Sequence, residues 1–134
     1  MRVDFNSLVA APEKYTGKRI EIEGVYAMGF ESMLFEAPDG PSPIRIWFDF
    51  VRTAELNKKE SGFELFKSAL DSAPNKGAWN TERILKVKVI GRFEYSKDGG
   101  YGHIGGCLAE LTVEKVLEAT PCPKEPDKRN VSAH

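Results

Sequence analysis

The residues whose types and spacing invite a chemical reading cluster between Gly99 and Cys107. Gly100-Tyr101-Gly102-His103-Ile104-Gly105 has the spacing of G-x-G-x-x-G. In a dinucleotide site that spacing works because a helix starts directly after it, and the helix N-terminus receives the pyrophosphate. Here the following segment, Leu108–Ala119, reads as a strand, and no acidic residue follows on a second βαβ strand. The stretch is therefore expected to be a glycine-rich hairpin loop. His103 and Cys107 are four apart, with Cys122 and His134 downstream. A zinc site wants four convergent ligands, usually including a close cysteine pair, and that pairing is absent, so no metal is expected. Glu21 with Glu23, and Glu110 with Glu114, are carboxylate pairs on single strands. Glycosidase chemistry needs two carboxylates across a cleft, one of them with a burial-raised pKa. Ser7, Ser32, Ser42, Ser61 and Ser96 lack a nucleophile-elbow context. No Gly-Lys is followed by Ser or Thr, which excludes a Walker A loop. No catalytic residue and no cofactor are expected.

The elements that must position these side chains can be read from periodicity. The spacing predicts a short helical turn capped by Asn6 or Ser7, running through Ala11 and ended by Pro12. Lys18–Ala27 alternates, with Ile20, Ile22, Gly24 and Tyr26 on one side and Arg19, Glu21 and Glu23 on the other, which predicts a half-buried strand. Phe30–Ala37 is a second strand, followed by the turn-rich Pro38-Asp39-Gly40-Pro41-Ser42-Pro43. Ile44–Phe50 is a third, with Arg45, Trp47 and Asp49 opposite its isoleucines and phenylalanines. Ser61-Gly62-Phe63-Glu64 has a capping-box pattern, and Phe63, Phe66, Ala69 and Leu70 recur at helical spacing, so Gly62–Ser72 is an amphipathic helix. Asp71–Thr81 is a polar loop carrying Trp79. Ile84–Tyr95 alternates best, with Leu85, Val87, Val89, Gly91 and Phe93 inward. Leu108–Ala119 is the last strand, with a register shift near Lys115. The tail Thr120–His134 has no apolar period and is expected to be disordered.

Five strands with a helix between the third and fourth is the element order of the OB-fold, a small, partly open Greek-key barrel. Gly24 and Gly91 sit mid-strand on the inward parity, where a small barrel needs sharp bends. The expected architecture is mainly β: a five-stranded OB-fold-like Greek-key barrel over residues 1–119, with a short N-terminal helical turn and a helix inserted between strands three and four. Three segments carry a family resemblance. Tyr15-Thr16-Gly17-Lys18-Arg19-Ile20-Glu21-Ile22-Glu23-Gly24 resembles the opening of bacterial OB-fold proteins. Val87-Lys88-Val89-Ile90-Gly91-Arg92-Phe93 is similar to their fourth strand. Gly100–Gly106 resembles a loop of small uncharacterised bacterial proteins of this type. The resemblance spans about residues 7–118. It implies the fold and, by fold alone, a nucleic-acid-binding-like character, which does not fix function.

Composition limits the partners. The chain has 134 residues, 41% apolar and 29% charged, with a net charge of −1. That is one ordinary globular domain without the basic footprint of a general nucleic-acid binder. The tail hides no basic core: Lys124, Lys128 and Arg129 against Glu125 and Asp127 leave −2 for the rest. Two cysteines make no disulfide framework. Leu8–Ala11 is too short for a signal-peptide core, and no stretch approaches the roughly 20 apolar residues of a membrane span. A cytoplasmic, bacterial-type protein without membrane contact is expected.

The outward set Arg19, Glu21, Glu23, Arg45, Trp47 and Asp49 mixes signs and offers one stacking ring, which suits a phosphate backbone poorly. The fourth strand is more basic, with Lys86, Lys88 and Arg92. Trp47 and Trp79 read either as interface aromatics or as residues covered by the helical insert. The sequence thus points to a non-enzymatic module. It binds a protein partner through the barrel mouth and the 96–106 loop, using Tyr101, His103 and Trp47. The alternative is a single-stranded nucleic-acid binder using Trp47, Lys86, Lys88, Arg92, Tyr101 and His103.

Overall fold

The computed structural model describes residues 1–29, 32–51, 61–74, 82–102 and 105–123. Phe30, Glu31, Trp79, His103 and the expected tail from Lys124 onward lie outside the described residues. The chain runs α1 (Phe5–Ala10), a 3-10 turn (Pro12–Lys14), β1 (Lys18–Gly29), β2 (Ser32–Glu36), β3 (Ile46–Phe50), α2 (Phe63–Ser72), β4 (Glu82–Tyr95) and β5 (Ala109–Pro121).

The strands close into a ring in the order β1-β2-β3-β5-β4. All neighbours are antiparallel except β3 and β5, which run parallel from Ile46↔Ala109 to Phe50↔Val113. A parallel pair needs a crossover, and α2 together with β4 supplies it. β1 is long enough to pair twice, with β4 along most of its length and with β2 through Val25–Gly29.

The alternation seen in the sequence sets the inside of the ring. Ile20, Ile22, Tyr26, Phe35, Ile46, Phe48, Val87, Val89, Phe93, Leu111 and Val113 are all buried in one cluster. Helix α1 adds Phe5 and Leu8, and α2 adds Phe66 and Ala69. Gly24 is where the wall comes closest to its own filling. A Cβ there would lie 2.5 Å from Cε1 of Phe35 and 2.7 Å from the Glu36 carbonyl oxygen. Gly91 plays the same part on β4, where a Cβ would lie 2.5 Å from the Thr112 carbonyl oxygen. The pairing of β4 with β5 slips twice, between Lys88 and Val89 and between Ile90 and Gly91. These slips leave Leu117 and Glu114 unpaired on either side of the Lys115 region, where alternation fails in the sequence.

Several boundaries differ from expectation, each for a local reason. The N-cap of α1 is Asp4, whose backbone is extended (φ −78°, ψ 140°); Asn6 and Ser7 lie inside the helix and cap nothing. Pro12 does not merely stop a helix but opens the 3-10 turn, where its missing N–H costs nothing. Strand β3 starts at Ile46 rather than Ile44, after the proline-rich turn. Ser61 accepts a hydrogen bond on Oγ from the Phe63 N–H (3.2 Å), and Gly62 rather than Ser61 borders the helix. Strand β5 continues past Ala119. Thr120 and Pro121 pair with Lys86 and Leu85, the Cys122 N–H donates to the Ile84 carbonyl, and Cys122 is buried. The last strand thus extends beyond the expected domain end because Ile84, Leu85 and Lys86, the first residues of the expected fourth strand, take it as their partner.

Candidate functional site

Ring order and register place one row of outward side chains across four strands: Ala27 on β1, Leu34 on β2, Trp47 on β3 and Glu110 on β5, continuing to Glu94 on β4. Ala27, Leu34 and Cys107 are buried in a second, smaller apolar cluster outside the barrel core, with Trp47 and Tyr101 half-buried against them.

This cluster exists because the β4–β5 connection does not stand free. Its described residues, Ser96–Gly102 and Gly105–Leu108, fold back on the outer face of the sheet. Tyr101 and Cys107 form a two-bond bridge: the Tyr101 N–H donates to the Cys107 carbonyl (3.2 Å) and the Cys107 N–H to the Tyr101 carbonyl (3.1 Å). Gly100 N–H donates to Gly105 O, and Ser96 N–H to Leu108 O closes the base. Gly102 lies flat on the indole; a Cβ there would come within 2.9 Å of Trp47 Cε3. The expected glycine-rich hairpin loop is thus present between β4 and β5, and its described residues pack on the outer face. The connection is a strap over the outer face, and among the described residues Tyr101, Gly102 and Cys107 lie against Trp47.

The basic candidates lie elsewhere. Lys86 and Lys88 line a shallow groove of about 310 Å³ with Glu23, Pro38, Glu118 and Thr120. Lys88 Nζ is 3.9 Å from a Glu23 carboxylate oxygen. Arg92 donates from Nη1 to the Gly17 carbonyl (2.8 Å), and Arg19 is paired with Glu114. Lys86 is exposed and makes no ion pair with a described residue. Of the six residues singled out from the sequence, the structure brings Trp47 and Tyr101 together. Lys86 and Lys88 share the groove, and Arg92 is tied to the β1 entry turn. His103 is outside the described residues.

Sequence reasoning missed the acidic flank. Glu94 and Glu110 are directly opposed across β4 and β5, and Asp49 sits two residues beyond Trp47 on β3. Burial raises the Glu110 pKa above the ordinary glutamate value, and the charges of Asp49 and Glu94 push it the same way. Burial also raises the Cys107 thiol, with Arg45 opposing and Glu110 adding to the rise. That is the reverse of an activated thiolate. The alternation around each acid was visible; only the register, which sequence spacing does not contain, shows that they meet. Also unforeseen is the Arg83 clamp. Its guanidinium reaches Glu36 Oε1 (3.0 Å) and the carbonyls of Ala37 (2.8 Å) and Pro38 (2.9 Å), pinning the chain as it leaves β2.

Among the described residues no group of three or more His, Cys, Asp or Glu is arranged to hold a metal ion. No helix among them is long and apolar enough to cross a membrane. No protein-family model matches the chain, and comparison with curated proteins and with solved structures finds no match either.

Proposed function

We propose that the five-stranded ring is an OB-fold, and that the protein is a non-enzymatic cytoplasmic module binding a protein partner on the outer face at Trp47 and Tyr101. The fold assignment is supported by the closed order β1-β2-β3-β5-β4, the parallel β3–β5 pair and a helix between β3 and β4. The functional reading is carried by one observation: two large aromatics meet in an apolar cluster separate from the core, each left partly accessible. Paired, partly exposed aromatics are the usual anchors of protein interfaces. The flank is mostly acidic, with Asp49, Glu94 and Glu110 against Arg45, so a complementary partner edge is basic. Cys107 and Cys122 are both buried and not joined in a disulfide, which fits a reducing compartment.

A second reading is single-stranded nucleic-acid binding. The strand order and the exposed Lys86 in its groove favour it. Against it stand the commitment of Lys88, Arg92 and Arg19 to protein acceptors and the burial of one indole face beneath Gly102.

One experiment separates the readings. Affinity capture from a native-host extract is run with Trp47→Ala, Tyr101→Ala, Lys86→Ala and Arg92→Ala, beside titrations with labelled single-stranded DNA and RNA at low salt. The proposal expects one partner lost with both aromatic variants and kept with both basic ones, and flat titrations. Titrations that saturate and weaken steeply with salt, with no partner sensitive to Trp47 or Tyr101, would overturn it.

A further inference from the structure

We infer that the face at Trp47 recognises an arginine side chain of the partner, with the guanidinium stacked on the indole and forked onto the carboxylates of Glu110 and Glu94. The inference rests on the reading of this face as the docking surface, and adds the chemistry of what docks there.

The register sets the arrangement. Trp47 on β3 is paired directly with Glu110 on β5, and Glu110 directly with Glu94 on β4. Neighbouring strands lie about 4.8 Å apart, so an indole and two carboxylates stand in one outward row at single-strand intervals. None of the three side chains belongs to a fully buried residue. Asp49, two residues beyond Trp47, is exposed on the same side of β3. On the β2 side of the indole lies the apolar cluster of Leu34 and Cys107, against which Tyr101 also packs.

Each part of the row suits a different part of an arginine. The guanidinium is planar and delocalised, stacks on aromatic faces and presents its donors as a fork. Side chains directly opposed on an antiparallel pair have Cβ atoms about 4.5–5.5 Å apart, so Glu94 and Glu110 can share one guanidinium. The apolar stem of the arginine is matched by Leu34 and Tyr101. An ammonium is a point charge with no plane to stack, so lysine fits the row less well.

The charges already present favour a cation. Burial first, then Asp49 and Glu94, raise the Glu110 pKa. The fold therefore holds this carboxylate against two others, and a guanidinium in the row offsets all three. Glu94 Oε2 accepts a long hydrogen bond from the Thr16 hydroxyl (3.5 Å). A carboxylate has about four acceptor sites, so that contact leaves room for a guanidinium. Nearby bases are directed elsewhere. Arg92 donates to the Gly17 carbonyl, Arg19 is paired with Glu114, and the charge of Arg45 acts on Cys107.

The test uses the full chain and two probes of equal charge, a hexa-arginine and a hexalysine peptide. Each is titrated at low salt and followed by the Trp47 indole N–H signal in NMR spectra, which Trp47→Phe assigns. We expect hexa-arginine to shift that signal and to bind at least about threefold more tightly than hexalysine. Glu110→Gln and Glu94→Gln should each weaken hexa-arginine by about three- to tenfold and narrow its advantage over hexalysine. Glu118→Gln removes an exposed acid from the groove of Lys86 and Lys88, and should change binding by less than about twofold. Equal affinities for the two peptides, or no shift at Trp47, would overturn the inference. So would a loss with Glu118→Gln as large as with Glu110→Gln, or none with Glu110→Gln. Partner capture that still depends on Trp47 and Tyr101 would then leave the protein-binding reading standing, so the two fail separately.

Discussion

Gly24 shows how much a single position decides. The strand bends so closely over Phe35 that any side chain on residue 24 must displace a fully buried ring or the Glu36 carbonyl. Overpacking of this kind costs about 1–3 kcal/mol, so Gly24→Ala should lower the urea midpoint by that equivalent. Gly40→Ala is the control: nothing lies within 4 Å of a Cβ there, and its φ is not positive. It should unfold like the wild type. Arg83 is the polar counterpart. Its side chain and that of Glu36 are 23% and 15% exposed, and it also satisfies two carbonyls. Arg83→Met keeps the stem but leaves the Glu36 carboxylate half-buried without that cation. A loss of about 1–3 kcal/mol is expected in denaturant titration, with Glu36→Gln costing less because the Arg83 cation it leaves keeps the glutamine oxygen and the Ala37 and Pro38 carbonyls as acceptors.

At the scale of elements, α2 is an integral part of the barrel filling. Phe66 lies within ring contact of Tyr26 (5.2 Å between centroids), Phe50 (5.0 Å) and Phe48 (5.9 Å). Leu65, its neighbour in sequence, is 44% exposed. Phe66→Ala should therefore cost about 3–5 kcal/mol, a large share of the stability of a domain this size. Leu65→Ala should stay within about 0.5 kcal/mol, both read from thermal or urea unfolding. Why the sequence discloses this helix and not the site has a physical explanation. The Phe63–Leu70 stripe and the alternation of β1 and β4 are local signals, set by residues three, four or two apart. Strand existence, inward faces, the bend at Gly24 and the slip near Lys115 all follow from such spacing. The seat of the strap does not. Tyr101, Cys107, Trp47, Leu34 and Ala27 are far apart in the chain, and only the register of three strand pairs brings them to one spot. A glycine-rich loop carries no periodicity to say which surface it will lie on. The start of α1 is ambiguous in the sequence for a related reason: Asp4, Asn6 and Ser7 are all cap formers, and burial of Phe5 and Leu8 selects the frame in which Asp4 comes first.

On the scale of the whole molecule, a net charge of −1 conceals an uneven surface. On the faces of β1 and β4, Arg2, Glu21, Glu23 and Lys88 neutralise one another. Across β4, β5 and β3, Glu94 and Glu110 are cross-strand partners, with Asp49 close by. Like charges directly opposed on a sheet destabilise it, and the fold holds the Glu110 pKa above its ordinary value of 4.5 through burial first, then Asp49 and Glu94. The folded form consequently binds this proton more tightly than the unfolded chain does. Its favourable contribution is complete below the ordinary glutamate pKa and is lost as pH rises through the folded value. Glu110→Gln abolishes the titration and the repulsion together. The variant should melt above the wild type at neutral pH and low salt, and the two melting temperatures should converge as pH falls below the ordinary glutamate range. The gain should stay under about 1 kcal/mol, because a half-exposed carboxylate is screened by solvent, and added salt should shrink it further. A variant equally displaced from the wild type at pH 3 and pH 7 would mean that packing, not charge, governs this position. The acidic flank would then be no guide to the partner's sign.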